Sequence, residues 1–555
     1  MTSDAGKLPE PPMAWDAWGD PARAAPLSPA LLGMVHDLLK VSAADVASVA
    51  RADVRLRPSA LSAGDLAALA DVVGEANVSA EDADRLPRAG GKSTFDLLRR
   101  KAVEQDAPDA VVIPGSDDEI VALLAVCAER GVAVVPFGGG TSVVGGLDPI
   151  RDGLASVVAL DLRRFDRLEQ LDETDHEAVL GAGLPGPAAE ALLAERGFEL
   201  GHYPQSFQYA TIGGFAATRS SGQDSAGYGR FDDMVRGLRV VTPRGVLEVG
   251  RPAPKTAAGP DLRQLFLGSE GVFGVITAVR VRVHPLPETR AYEAWRFPDF
   301  AAGAAALRAV VQAGAAPTVV RLSDEVETAL NLATVDNAGG SDPSDGTHPS
   351  DGTDPSSEQA AGGCLAVTAF EGPSALVELR QQVARDALRA HGGVSQGSSP
   401  AEHWARNRFD GPYLRDPLLA NGALVETFET ATSWSRLAAL KTAVTEVAQA
   451  GFADADSASL VLCHVSHVYD TGASLYFTAA GAQRGDAIEQ WTAIKARIAD
   501  AILAHGGTIT HHHAVGVDHR PWLGEEIGPL GVEILRAVKR ALDPAGILNP
   551  GKLIP

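Results

Sequence analysis

Four groups of residues in this sequence are equipped for chemistry. The first is the stretch Pro136 to Leu147, PFGGGTSVVGGL, where Gly138, Gly139 and Gly140 follow an apolar strand that reads Val132 to Val135 and stops at Pro136. Glycine has no Cβ, so such a run can take positive φ and converge successive backbone N–H groups on one anion. A pyrophosphate is the natural occupant; a glycine-rich hairpin without ligand is the alternative. The second group is Tyr476, on an alternating strand HVYDTGASLYFT that also carries Tyr469. A phenol ionises at about pH 10, so acid/base work needs neighbours that lower its pKa, and a core tyrosine with a satisfied hydroxyl is the other reading.

The third group is a pair of arginines. Arg321, on the strand PTVVRLSD, can fork onto a phosphate or carboxylate or form a structural ion pair with Asp324; Arg415, in PYLRDPLL, adjoins Asp416. The fourth is His511, His512 and His513 after a short Thr508-Ile509-Thr510 strand. If extended, His511 and His513 share one face and His512 points the other way. Imidazoles with a near-neutral pKa suit proton transfer and anion contact. No nearby Cys or regular His/carboxylate spacing completes a metal site, so no metal is expected.

Several elements must position these groups. Upstream of the glycines, Ala110 to Ile113 reads as a strand, and Ser116 to Glu119 as a capping box opening a helix that buries Ile120, Leu123, Leu124 and Cys127 and stops at Gly131. The glycines therefore follow a second strand and open no helix, unlike the dinucleotide fingerprint of the nicotinamide-binding fold. Ala155 to Leu162 and Ala178 to Ala182 read as strands, and Pro187 opens a helix. In Tyr203 to Thr218, Gly213-Gly214 beside Thr211 and Thr218 suggests backbone brought close to a ligand. Leu238 to Thr242 is a strand leading to the turn Pro243-Arg244-Gly245, and Leu267 to Thr277 places three glycines around Glu270.

Residues 1–106 form an N-terminal segment, helical at Leu31 to Leu39 and Asp65 to Val73, whose Trp15 and Trp18 pin the arm to the main body. The glycine domain takes 107–287, a capping substrate domain 288–505, and 506–555 returns to the first domain after a helix from Leu530 to Leu542. Within the second domain, residues 336–363 are low in complexity and read as a mobile insert, either a gate or an inert surface insertion.

A chain of 555 residues needs more than one core, and 45% hydrophobic with 21% charged residues is ordinary for a globular protein. A formal charge of -23 argues against nucleic acid, and anionic ligands must be captured by local Arg residues and backbone amides. Three dispersed cysteines, Cys127, Cys364 and Cys463, fit a reducing compartment. The opening residues lack a basic start with an apolar run, and the last four are not a peroxisomal address. A cytoplasmic location is expected, with peripheral membrane contact left open.

The glycine loop resembles that of the vanillyl-alcohol-oxidase and p-cresol-methylhydroxylase (PCMH) superfamily. SFQYATIGGFAATRSSG, the VTPRG turn, LGSEGVFGVIT, YLRD, the VYDTGASLYF strand and THHHAVG together resemble the alkyldihydroxyacetonephosphate synthase family. The implied fold is α+β: a PCMH-type FAD-binding domain of two subdomains under an α+β cap domain, with the helical N-terminal segment. The implied cofactor is FAD, non-covalent because Pro136 to Leu147 contains no His or Cys. By resemblance it is bound by Pro136, Phe137, Gly138, Gly139, Gly140, Thr141 and Ser142; by Gln205, Ser206, Phe207, Gln208, Tyr209, Ala210 and Thr211; by Thr218, Arg219, Ser220 and Ser221; and by Glu270, Gly271, Val272, Phe273, Gly274, Val275 and Ile276.

The implied activity exchanges the acyl group of acyl-dihydroxyacetone phosphate for a fatty alcohol, with flavin N5 as covalent nucleophile and no net redox change. Tyr476 matches the family's proton carrier, Arg415, with Arg321, its phosphate contact, and His511, His512 and His513 its essential triplet. The expected partners are thus a lipid phosphate and a fatty alcohol, in a homodimer. Thr478-Ala479-Ala480 stands where the family has aromatics, and Ala514 where it has glycine. Dehydrogenases of 2-hydroxy acids share the glycine loop and the GSEG segment, and are the alternative; a flavin-binding protein without catalysis is a third class.

Overall fold

The structure is a computed structural model and describes residues 13–41, 49–330 and 362–555. Residues 336–361 of the expected insert lie outside the described residues. Helix α1 (Pro29–Leu39) and α2 (Ala63–Val73) precede a short strand β1 (Val78–Ser79), and α3 (Thr94–Arg99) follows. Then come β2 (Ala110–Val112), α4 (Asp117–Arg130), β3 (Val132–Phe137) and β4 (Ser156–Asp161). These strands form a four-stranded sheet in the order β1-β2-β4-β3, parallel except for β1. Because β1 joins this sheet and α2 packs into its core, part of the 1–106 segment belongs to the glycine domain. Strand β3 continues through Pro136 rather than stopping there, a position open to proline because β3 lies at the sheet edge. Ser116 caps α4, but Glu119 reaches back to the N–H of Gly115 instead of closing a box on Ser116.

A second sheet is antiparallel. It comprises β5 (Leu168–Asp172), β6 (Glu177–Gly181), β7 (Val235–Thr242), β8 (Gly245–Val249) and β9 (Val275–Arg282), in the order β8-β7-β9-β6-β5. Its core also takes α5 (Gly186–Ala194) and α6 (Ile212–Thr218).

The third sheet has seven antiparallel strands: β10 (Thr289–Phe297), β11 (Val319–Ser323), β12 (Cys364–Gly372), β13 (Val394–Ser395), β14 (Ala423–Ser433), β15 (Ser459–Val468) and β16 (Gly472–Ala482). Their order is β13-β10-β12-β11-β15-β16-β14. Helix α7 (Gly411–Ala420) leads into β14, while α8 (Leu437–Asp454) and α9 (Ala487–Ala504) cover one face of the sheet. Strand alternation sorts the side chains. Val320, Leu322, Phe428, Cys463, Val465, Leu475 and Phe477 enter the core with Trp491 of α9, so Arg321, Glu429, His464 and Tyr476 stand on the opposite face.

Helix α10 (Arg520–Leu542) is longer than the sequence pattern implies, because two helices meet at a kink where Gly528, at φ 75°, precedes Pro529. The chain then returns to the first sheet. Val134 donates to Ile547 O at 2.8 Å and Asn549 N to Val134 O at 2.8 Å, extending β3 by one bridge to Leu548. The Asn549 side chain, almost fully buried, donates to Gly146 O at 3.1 Å and to Glu270 O at 2.6 Å. Asn549→Ala leaves both carbonyls without that donor and is expected to cost about 1–3 kcal/mol of stability, read as a lowered urea midpoint with an unchanged m-value.

Candidate functional site

The glycine loop leaves the C-terminal end of β3, the edge at which open parallel sheets receive ligands. It lies against the turn that precedes α6: a Cβ on Gly139 would stand 1.9 Å from Tyr209 O, one on Gly138 2.5 Å from Thr211 Oγ1, and Gly140 takes φ +70°. Only glycine lets these two backbones meet. Thr211 also caps α6, its hydroxyl accepting from Gly214 N at 3.3 Å. The hydroxyls of Ser221 and Ser269 are buried without a partner, polar groups that a bound ligand can satisfy. The bare backbone cradle fits the diphosphate of FAD.

The expected cofactor residues divide by what their side chains do. Gln205 is exposed, and Ser206, Phe207, Gln208, Thr141 and Ser142 are partly so. Phe137, Tyr209, Ala210, Val272, Phe273, Val275 and Ile276 are buried, which leaves their backbone to face a ligand, and Gly271 and Gly274 press on Pro136 and Val240. Thr218 bonds back to Gly214 O, Arg219 holds Leu267 O and Asp232, and Ser220 meets His202. Glu270 departs from expectation: its buried carboxylate accepts from Val515 N at 3.2 Å and Gly516 N at 2.9 Å, so it anchors the segment after the histidines. Burial raises its pKa to about 7.

Sheet register assembles the second half of the site. Tyr476 on β16 lies between Glu429 of β14 and His464 of β15. The Tyr476 and His464 rings stack at 5.0 Å. Arg321 is engaged by His464 Nε2 at 2.9 Å and by Glu327 at 2.7 Å, not by Asp324, which pairs with Lys441. Burial pushes Tyr476 up to about 12, with Glu426 and Glu429 adding to the shift and Arg321 opposing it.

The histidine triplet is not extended. Its backbone curls so that three successive N–H groups, of His511 (2.6 Å), His512 (3.0 Å) and His513 (2.9 Å), all point at the buried Glu429 carboxylate, joined by the Thr510 hydroxyl at 2.7 Å. Burial would raise the Glu429 pKa, but the facing histidines and these N–H bonds hold it well below the usual carboxylate range. Burial also lowers all three imidazoles, leaving them neutral at pH 7. His512 and His513 reach the Tyr476 ring at 6.0 and 5.6 Å.

Tyr469 lies in the turn after β15 rather than in a strand, and its hydroxyl meets His511 Nε2 at 2.6 Å. His467, His511 and His512 could bring one nitrogen each within 4.8 Å of the others. Both His467 nitrogens, however, already serve Gly222 O and the Ser466 and Ser474 hydroxyls. Two acids, Glu426 and Glu429, inside the apolar strand ALVETFETATS and two histidines inside SLVLCHVSHV are the sequence signals for Glu429, His464 and His467.

Arg415 occupies a separate cluster next to the glycine loop. Its Nη1 donates to Lys92 O at 2.6 Å, and Lys92 N donates to Ser142 O at 2.6 Å. Its Nε contacts Asp416 at 3.2 Å, while Nη2 is buried without a partner, as is Nη1 of nearby Arg100. The N-terminal arm is hydrogen-bonded to this cluster. Trp18 N donates to Asp416, Asp20 N to the Tyr413 hydroxyl, and Lys92 Nζ to the carbonyls of Ala14 and Trp15.

Comparison with known proteins matches the family described as FAD binding domain to residues 108–250 and that described as FAD linked oxidases, C-terminal domain, to 286–553. The chain is 32% identical to the alkyldihydroxyacetonephosphate synthase of Trypanosoma brucei brucei, over 98% of this chain and 92% of that one. It is 34% identical to the synthase of Dictyostelium discoideum, over 85% of this chain and 77% of that one. A solved alkyldihydroxyacetonephosphate synthase superposes with a TM-score of 0.81 at 27% identity, covering 98% and 99% of the two chains.

Two substitutions test the geometry. Gly139→Ala forces a methyl into the Tyr209 carbonyl and is expected to yield protein without bound flavin, read from the visible absorbance of the purified material. Glu429→Gln turns one acceptor into a donor that faces N–H groups, with an expected cost of about 1–3 kcal/mol, measured by thermal and urea unfolding.

Proposed function

Because the chain belongs to the alkyldihydroxyacetonephosphate synthase family, we propose that it exchanges the acyl group of acyl-dihydroxyacetone phosphate for a long-chain alcohol, using non-covalently held FAD. The observation that carries this reading is the placement of Tyr476 between Glu429 and His464 under the rings of His512 and His513. FAD supplies an electron-rich ring nitrogen, N5, as nucleophile toward the substrate C1, without net redox change.

The chain's own residues handle phosphate and protons. Arg415 offers its unpaired Nη2 to the substrate phosphate, a charge-assisted bond that also relieves a buried orphan donor. Arg321 is already held by Glu327 and His464, and acts by fixing the imidazole that stacks on Tyr476. Tyr476 carries the C1 proton, and the neutral triplet receives and delivers protons as acid leaves and alcohol enters. The reading extends to a homodimer in the cytoplasm that meets its apolar substrates at a membrane surface. Support for that contact is the outer face of α10, where Leu530 and Ile534 are exposed beside Arg536 and Arg540.

The deciding experiment mixes the yellow protein with acyl-dihydroxyacetone phosphate and a long-chain alcohol. Ether product with the flavin absorbance retained is expected; bleaching by D-lactate or another 2-hydroxy acid, without ether product, would assign an oxidoreductase instead. Tyr476→Phe is expected to retain FAD and lower kcat by about 10²–10⁴-fold, the usual worth of a positioned proton carrier. Arg415→Gln is expected to raise KM for the phosphate substrate about tenfold or more, since a hydrogen bond to a charged group is worth about 1.5–3 kcal/mol.

A further inference from the structure

The proposed exchange has a proton balance that the site must satisfy. The C1–O bond to the acyl group breaks and the acid leaves with the electron pair, as a carboxylate at neutral pH. The C1–O bond to the alkyl group forms, and the alcohol loses its hydroxyl proton. The C1 proton is removed and returned, so it cancels. One proton per turnover must therefore leave a site whose histidines are largely buried.

The geometry points to Tyr469 as the outer end of a proton exit that runs from His512 through His511, an inference that rests on the function proposed above. The Nδ1 atoms of His512 and His511 are 2.9 Å apart, and His511 Nε2 is 2.6 Å from the Tyr469 hydroxyl. His511 thus spans the gap, with Nδ1 toward His512 and Nε2 toward Tyr469. His512 stacks on Tyr476 at the inner end. At the outer end Tyr469 is half-buried in the hairpin turn between β15 and β16, its hydroxyl also hydrogen-bonded to the Arg230 guanidinium, and exposed Asp470 and Thr471 follow it.

A proton received on His512 Nε2 moves outward in three hops. His512 Nδ1–H passes its proton to His511 Nδ1, His511 Nε2–H to the Tyr469 oxygen, and Tyr469 O–H to water. No ring bears more than one extra proton at any step. Neutral imidazoles are what such a chain requires, and burial keeps these two neutral at pH 7. The Glu429 carboxylate, held on the backbone of the same residues, fixes both rings in line.

Tyr469→Phe keeps the ring and removes the hydroxyl. In the FAD-loaded variant, alcohol-for-acid exchange is expected to slow about tenfold or more, within the range of lost proton-transfer catalysis. Exchange of bound acyl group for labelled free acid takes in one carboxylate and releases another, exports no proton, and is expected to stay within about twofold of the parent. A parallel fall in both exchanges, or no fall in either, would overturn the exit. Imidazole ¹⁵N spectra of histidine-labelled holoprotein give a readout without turnover. Loss of the hydroxyl is expected to shift His511 and His512 together, and a change confined to His511 overturns the coupling. A parent enzyme inactive in both exchanges counts against the proposed function, whereas the spectra still judge the hydrogen-bonded chain.

Discussion

The site depends on a buried carboxylate. Glu429 stands on β14, the edge strand of the cap sheet, with its side chain inaccessible to water, a placement that costs several kcal/mol for an ion unless donors replace the lost solvent. Thr510, His511, His512 and His513 supply those donors, and in doing so lose the freedom to form a strand. Glu270 repeats the arrangement from the other domain on two N–H groups just beyond the triplet, Val515 and Gly516. One short loop is therefore stitched by carboxylates to both domains, and the three imidazoles take their positions from its backbone.

Around that anchor, strand register does the remaining placement. A one-residue slip of β16 against β14 would turn Tyr476 into the hydrophobic core and Leu475 or Phe477 into the site. The apolar face shared with α8 and α9 forbids it, because Phe428, Phe477 and Trp491 are packed there as one aromatic cluster. Packing on one side of the sheet thereby guards chemistry on the other.

Much of this was legible in the sequence, and for local reasons. The glycine loop could be read because glycine reports its own backbone freedom, and Tyr476 and Arg321 because period-two alternation marks the face opposite the core. Sequence reading failed where the cause was remote. The bend of the triplet is set by Glu429, more than eighty positions earlier, and the partner of Arg321 is Glu327 rather than the nearer Asp324. The same holds for Glu270, which reads as a ligand contact beside three glycines but faces the backbone after the histidines. The arm through Trp15 and Trp18 does pack down, yet its hydrogen bonds to Asp416 and Lys92 join residues with no sequence proximity.

The bridge between Val134 and Leu548 joins places roughly 400 residues apart, so the pocket cannot close on a growing chain. At ribosomal rates of about 5–20 residues per second, the glycine turn waits roughly 20–80 s for the single bridge that completes its edge. During synthesis a long apolar intermediate must be kept from neighbours, and cofactor capture becomes a post-translational event.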